Sequence, residues 1–322
     1  MPPKRIAIIT CETLPEPDPD EPILLDALRA AGMEAHMLAW DAPPNSPKHG
    51  NPSDYDLCVI RSSWNYYHDP DAFLAWIDSC ASRSTLLNPA PVVKWNIHKH
   101  YLRDLQRADL PIVPTEFVNR GESVSFIDIM RARNWTDAVI KPCVSAASFN
   151  TRRFSLDQSN AAQRFLDQLT YSADAMLQPY MRSVDTAGER SIMWIANHGN
   201  GGVTHAIRKN PRFAGQDESV SGSLPVTDTE RALFDRTLAA LPFSASDLLY
   251  ARLDLMPDDT GAQRISELEL IEPSLFLLQE PRAERPSSTP SPRAPPESHP
   301  SGSSSAGWIS CQLFRCDPLA AL

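Results

Sequence analysis

The chain has 322 residues, 42% of them hydrophobic and 22% charged, with a formal net charge of −10 and a sequence pI of about 5.3. That length can fill more than one domain, and the negative balance argues against the positive footprint that a nucleic-acid binder needs. No apolar run approaches the ~20 residues of a membrane helix. The start, Met1-Pro2-Pro3-Lys4-Arg5, leads straight into Ile6-Ala7-Ile8-Ile9, too short for a signal-peptide core, so a cytoplasmic protein is expected.

Residues 5–10 read as a buried strand, and a polar, proline-rich loop follows. Residues 22–31 carry Leu24, Leu25 and Leu28 at helical spacing, with Gly32 as the stop. Residues 34–40 and 56–60 read as two more strands, the last ending at Arg61-Ser62-Ser63-Trp64. The order β-α-β-loop-β predicts a small parallel sheet. Ligands of such sheets sit beyond the carboxyl ends of the strands, which makes Thr10, Cys11, Glu12 and residues 61–65 a possible substrate mouth. There is no G-x-G-x-x-G, so the dinucleotide fingerprint is missing.

From about residue 86 the pattern changes. Residues 92–105 predict one helix carrying Lys94, His98, Lys99 and Tyr101. Pro111 and Pro114 bracket a short extended piece, and 126–133 predicts another helix. Strands are expected at 138–141, 175–178, 191–196 and 203–209. This mixture suits an α+β domain. From residue 279 to 305, 15 of 27 residues are Pro or Ser, a composition that cannot build a core and is expected to be disordered. The cysteines are Cys11, Cys58, Cys80, Cys143, Cys311 and Cys316. None forms a C-x-x-C pair and no histidine clusters with them in sequence, so neither a zinc site nor a disulfide framework is expected. Cys58, inside an apolar run, reads as a small buried hydrophobe.

Several stretches suit phosphate and metal chemistry. Lys141 ends an apolar strand and is followed by small residues, Val144-Ser145-Ala146-Ala147-Ser148, whose backbone N–H groups can approach an anion while lysine supplies a point charge. An ordinary solvated lysine beside a serine-rich turn is the other reading. In Gln178-Pro179-Tyr180 a proline interrupts a strand and frees backbone groups for a purine edge; a strand that simply ends is the alternative. Glu189 adds a carboxylate and His205 to Lys209 a cationic cluster, in which Arg208 can clamp phosphate or developing charge, although surface charge would also explain them. The richest stretch is 249–271. Asp254 lies in one apolar run, a turn follows at Pro257-Asp258-Asp259-Thr260-Gly261, and Glu267 and Glu269 alternate with Leu268 and Leu270. Residues two apart share a strand face, and a hairpin can bring Asp254 beside the two glutamates. Such carboxylates repel unless cations neutralise them, and oxygen ligands suit Mg²⁺ with substrate phosphates. A solvated strand face is the competing reading.

Taken in order, R-S-S-W-N-Y at 61–66, L-N-P at 87–89, W-N-x-H-K-x-Y-L at 95–102, V-I-K-P at 139–142, R-K-N-P-R-F at 208–213 and E-L-E-L-I-E-P-S at 267–274 resemble the ATP-grasp superfamily. The likeness is to its glutathione synthetase and ribosomal-protein glutamate ligase branch, close to proteins related to D-cycloserine synthetase. It implies an α/β and α+β fold: a Rossmann-like pre-grasp domain over 1–88, an ATP-grasp domain of two lobes over 89–278, and a tail over 279–322. It also implies ATP and Mg²⁺, or Mn²⁺ in its place, as cofactors. Lys99 and Lys141 would meet the phosphates, and Ser145, Ala146 and Ser148 would lie in the loop that closes on the nucleotide. Gln178 and Tyr180 would hold adenine, and Glu189 would lie near the ribose. Arg208, with Lys141, would act at the transferring phosphoryl group. Asp254, Glu267 and Glu269 would hold the metal, although the family more often has Asn at the last position. Arg61, Ser62 and Arg208 are the candidates for an acceptor carboxylate. The reaction implied is ADP-forming ligation of a small-molecule carboxylate to an amine, with no nucleic-acid or membrane partner. The alternatives are cyclisation of a ureido amino acid, another ATP-grasp reaction such as a kinase's, and nucleotide binding with impaired catalysis, the last suggested by the unusual tail.

Overall fold

The structure, a computed structural model, describes residues 3–196, 201–210 and 219–279. The tail from residue 280 with Cys311 and Cys316, and Pro211 to Phe213 of the basic motif, lie outside the described residues. Among the described residues no helix is long and apolar enough to cross a membrane.

The first unit opens β-α-β-loop-β as the sequence predicts and then adds a helix and a strand that it does not: β1 (Arg5–Thr10), α1 (Glu21–Ala30), β2 (Glu34–Ala39), β3 (Leu57–Ser62), α2 (Pro70–Ala81) and β4 (Thr85–Leu87). The strands run parallel in the order β2-β1-β3-β4. Helices cover both faces, so β1 is a nearly continuous apolar run rather than an alternating one. Ile6 and Ile8 pack with Leu24 and Leu28 of α1, while Ala7 and Ile9 pack with Phe73 and Ile77 of α2. Asp69 caps α2 by accepting from the Ala72 N–H at 3.0 Å, a typical N-cap bond. β3 runs two residues further than expected and takes Arg61 and Ser62 into the sheet.

Next come α3 (Ala90–Asn96), α4 (Tyr101–Arg107), β5 (Glu116–Val118), α5 (Phe126–Arg133), β6 (Asp137–Pro142), β7 (Arg152–Ser155), α6 (Ser159–Thr170) and β8 (Ala175–Pro179). The single helix predicted over 92–105 is two helices. At the break the Lys99 N–H bonds the Cys143 carbonyl at 2.9 Å instead of a carbonyl of its own helix. β5-β8-β6-β7 form an antiparallel sheet backed by α5 and α6 through Phe126, Met130, Phe165 and Leu166.

The third group is α7 (Val184–Ala187), β9 (Glu189–Ile195), β10 (Gly202–Asn210), β11 (Ser219–Val220), α8 (Asp228–Ala239), β12 (Tyr250–Pro257) and β13 (Gln263–Glu269). Its sheet has the order β11-β10-β9-β12-β13 and is antiparallel throughout. Helix α8 begins at a capping box between Thr227 and Glu230 and packs Leu233 and Phe234 into the core with Ile192, Trp194 and Leu253. A bridge from Ile112 to Ile265 links the two antiparallel groups.

Asn88, at the proposed junction of the first two domains, is fully buried with φ 54°. Its amide donates to the carbonyls of Tyr250 (3.0 Å) and Leu270 (2.6 Å), and its oxygen accepts from the Leu249 N–H (2.7 Å). Asn88→Ala removes the partner of three buried backbone groups, each costing about 1–3 kcal/mol when unmet. We expect a loss of about 3 kcal/mol or more by chemical denaturation. A loss below ~1 kcal/mol would show that the joint does not depend on this side chain.

Candidate active site

Strand alternation builds one face of the site. In the β12–β13 hairpin Asp254 is paired with Glu267 and Arg252 with Glu269, so these four side chains share a face. A bulge after Asp254 accommodates Ser266, whose hydroxyl donates to the Glu189 carboxylate at 2.6 Å and lies 3.0 Å from the Asp254 carbonyl. On β9 and β10, Glu189 pairs with Lys209. Gly188, just before it, has φ 68°, and a Cβ there would come within 2.9 Å of the Lys209 carbonyl, so only glycine lets β9 start here. The four-stranded sheet and the α3–α4 turn supply Lys141 and Lys99 from the opposite wall.

These groups compensate one another at short range. Lys141 Nζ donates to Glu267 Oε1 at 2.7 Å, and Lys99 lies 3.5 Å from Glu267 Oε2. Lys209 lies 2.8 Å from Asp254 Oδ2 and 3.1 Å from Glu189 Oε2. The Arg252 guanidinium meets both Asp254 oxygens at 2.9 Å, a fork-to-fork pair, and also contacts Glu269. Burial alone would raise the carboxylates, but Arg252 and Lys209 hold Asp254 well below the ordinary range. Lys141 and Lys99 likewise hold Glu267 down to about 2. For Glu189 and Glu269 burial prevails and the carboxyls are raised. Burial would lower the Lys99 and Lys209 ammonium groups, yet the neighbouring carboxylates hold both above the ordinary value.

Among the expected residues, Lys99, Lys141, Ser145, Ala146, Ser148, Gln178, Tyr180, Glu189, Asp254, Glu267 and Glu269 all line one cleft between the two antiparallel sheets. The 145–148 loop turns sharply, with φ of 48° at Ala147 and 57° at Ser148, and the Ser145 carbonyl accepts from Lys99 Nζ at 3.3 Å. Its continuation stacks Phe149 on Tyr67 at 4.4 Å, against the first unit. Gln178 donates to the Thr115 hydroxyl at 3.0 Å, and Tyr180 bonds Asp185 under the Arg153 guanidinium. Both Glu189 oxygens are engaged, by Ser266 and Lys209, which groups it with the carboxylates.

Three expected residues stand elsewhere. Arg208 is exposed and is not among the residues lining the cleft. Adjacent residues of a strand point to opposite faces, so Lys209 enters the cleft and Arg208 leaves it. Arg61 and Ser62 are buried in β3, not lining the cleft. Arg61 packs over the Tyr250 ring and lies 4.0 Å from Asp20. The cleft also contains charged residues to which the sequence reading gave no role: Glu16, Lys209, Arg252 and Glu272. Alternation from Asp254 would have found Arg252, whereas Lys209 is placed by its pairing with Glu189 across β9 and β10. Glu272 lies past the end of β13, where alternation no longer applies. Burial and the nearby Glu269 push its carboxyl up to about 8, and Tyr66 hydrogen-bonds it.

Comparison with known proteins places this geometry. Residues 6–88 match the family model of the N-terminal domain of D-cycloserine synthetase DcsG. The cycloserine biosynthesis protein DcsG of Streptomyces lavendulae is 29% identical over 288 residues, covering 84% of this chain and 92% of that protein. The crystal structure of D-cycloserine synthetase DcsG superposes with a TM-score of 0.75 at 27% identity, over 87% of this chain and 95% of that one. A RimK domain ATP-grasp protein from Sphaerobacter thermophilus shares the fold, with a TM-score of 0.61 at 16% identity over 85% and 93% of the two chains.

Two outcomes test this arrangement. Lys209→Met strips a partner from buried Asp254 and Glu189 and should cost about 3–5 kcal/mol of stability, whereas Arg208→Met on the exposed face should stay within ~0.5 kcal/mol; equal effects would mean that the two side chains are not divided between the faces. The second concerns Glu272. Its folded value of about 8 lies above the ordinary 4.5, so between them the folded protein keeps a proton that the unfolded chain has lost, and stability falls as pH rises through this window. In metal-free buffer, Glu272→Gln should match the wild type near pH 5 and exceed it near pH 8.5, by on the order of 2 kcal/mol. Parallel stability curves would show an ordinary, solvated carboxylate.

Proposed function

From a chain homologous to D-cycloserine synthetase and folded as an ATP-grasp protein, we propose an ATP- and Mg²⁺-dependent ligase that joins a carboxylate to an amine and releases ADP and phosphate. The observation that carries this reading is the meeting of Lys99, Lys141, Lys209 and Arg252 with Asp254, Glu267 and Glu269 in one cleft. Phosphate needs the cations, and a hard divalent metal needs the oxygens. The residues fit both groups. In the free protein the lysines and Arg252 neutralise the carboxylates; ligands of matching charge can take over each side of those pairs.

In this reading Lys99 and Lys141 bind the nucleotide phosphates and the 145–148 loop covers them. Gln178 and Tyr180 flank adenine at the end of β8. Lys209, rather than Arg208, offsets charge on the transferring phosphoryl group, and Glu189 positions Lys209. Asp254 and Glu267, with Glu269, hold Mg²⁺, which when bound neutralises phosphate charge and orients the phosphoryl group. The substrate carboxylate oxygen attacks the terminal phosphorus of ATP and ADP departs. The amine nitrogen then attacks the acyl carbon, phosphate leaves with the C–O bond electrons, and the amine gives up a proton. No protein nucleophile is required.

A second reading is favoured by the match of residues 6–88 and the likeness to D-cycloserine synthetase along most of the chain. There the nucleophile belongs to the activated molecule itself, as in a ureido amino acid, and the product is a ring. A substrate panel separates the two, because cyclisation needs one organic compound for ADP release and ligation needs two. Lys141→Ala should weaken ATP binding by about 1.5–3 kcal/mol, the value of a charge-assisted contact, as read by calorimetry, and Asp254→Asn and Glu267→Gln should abolish Mg²⁺-dependent turnover. Unchanged ATP affinity in Lys141→Ala would remove that lysine from the site. Release of AMP and pyrophosphate would overturn the acyl-phosphate route.

A further inference from the structure

Outside the cleft, three metal-seeking side chains from two distant segments come together. His98 and His100 lie in the turn between α3 and α4, and Cys143 directly follows β6. A ring nitrogen of each histidine and the Cys143 Sγ all lie within 4.8 Å of one another. Asp174, at the entry to β8, brings its Oδ2 to 3.2 Å from His98 Nε2 and 3.8 Å from His100 Nε2. Because 43 residues separate the nearest histidine from the cysteine, sequence spacing gives no hint of the cluster; the expectation that cysteine and histidine stay apart is corrected here.

We propose that His98, His100 and Cys143, completed by Asp174, form a structural site for zinc or a similar divalent metal. Two observations carry this beside the cluster itself. First, His100 Nε2 is buried and makes no hydrogen bond, a state that is costly and calls for a partner. Second, the charges balance. One thiolate, one carboxylate and two neutral imidazoles cancel a divalent ion, which matters beside Lys99 and Arg103. Zinc bonds of 2.0–2.3 Å put tetrahedral ligand atoms about 3.5 Å apart, so the cluster needs to close by roughly an ångström. Metal binding displaces the Cys143 thiol proton. The two rings remain about a third exposed and leave a way in.

The backbone gives the site a purpose. Lys99 stands between the two histidines, its N–H bonds the Cys143 carbonyl, and the Cys143 N–H bonds the Asp174 carbonyl, both at 2.9 Å. Cys143 is two residues beyond Lys141. A metal here ties the α3–α4 turn to the ends of β6 and β8 and so braces the two lysines that face the cleft.

The test is Co²⁺ titration of the full chain after chelator treatment, followed by displacement with Zn²⁺. One equivalent should bind with a thiolate-to-cobalt charge-transfer band and the strong visible bands of a tetrahedral ion. Cys143→Ser should remove the charge-transfer band, and His100→Gln and Asp174→Asn should each weaken binding about tenfold or more. Glu267→Gln should leave the spectrum intact, separating this site from the cleft carboxylates. Because Cys143 is fully buried, the more exposed His100→Gln protein decides the matter if Cys143→Ser does not fold. Failure to bind one equivalent, a band that persists without Cys143, or affinity unchanged in His100→Gln overturns the proposal.

Discussion

Everything in the cleft depends on compensating buried charge. Six carboxylates (Glu16, Glu189, Asp254, Glu267, Glu269, Glu272) and four cations (Lys99, Lys141, Lys209, Arg252) line it, 4 − 6 = −2 if all are ionised. An ion taken from water costs several kcal/mol, and attraction to a partner offsets this only with close geometry and further hydrogen bonds. The raised Glu272 carboxyl narrows the difference: protonated, it leaves five negative charges against four positive ones. The pairs also cross the fold. Lys141 belongs to the four-stranded sheet and Glu267 to the five-stranded one, 126 residues apart, so the electrostatic match is also a clasp between the walls.

Charge pairs hold position only if their backbones are already placed, and neutral polar residues do that work. The Asn96 side chain brackets β13 by donating to the Leu268 carbonyl and accepting from the Leu270 N–H, both at 2.8 Å. Tyr101 accepts from the Leu268 N–H at 3.0 Å, and the Tyr250 hydroxyl reaches the carbonyls of Ile60 and Ile271. With Asn88, these residues meet backbone groups from 268 to 271 on the edge of β13 that faces away from β12 and just past its end. Asp20 does the same further on, accepting from the N–H groups of Leu275 and Leu277. A buried backbone must find such partners, which explains why the E-L-E-L-I-E-P-S stretch is held by side chains from three separate elements.

Periodicity made much of this legible. The alternation of Glu267 and Glu269, the apolar runs of β1 and β6, and the turn after Met256 are local patterns, and each expected strand formed with ends shifted by a residue or two. What was not legible depended on contacts distant in sequence. The α3–α4 break needs the Cys143 carbonyl, which lies 44 residues away from Lys99. Arg208 was chosen over Lys209 because a basic pair carries no mark of which member faces inward until the strand is set against β9. Arg61, at the end of an apparent strand, looked like a mouth residue; β3 continues through it, and Tyr250 and Asp20 enclose it. Helices α2, α6 and α8 were missed through their mixed composition, although Asp69 and the Thr227–Glu230 box mark two of their starts.

The extra acidic residue at Glu269, where the resembling proteins more often have an amide, has its explanation across the hairpin. Arg252 is its directly paired residue, and the guanidinium reaches Glu269 while still meeting both oxygens of Asp254. A second negative charge is therefore matched by a buried positive one two residues before Asp254, and the pair leaves the charge of the site unchanged. An amide facing Arg252 would leave the guanidinium with Asp254 as its one close carboxylate. This reading assigns Glu269 a double duty: it offers oxygen to a metal on one side and anchors Arg252 on the other. Glu267 then carries the larger share of metal binding, since its counter-ions are lysines, point charges on flexible stems that can turn toward phosphate, whereas Arg252 is held on Asp254 and Glu269 by its planar fork.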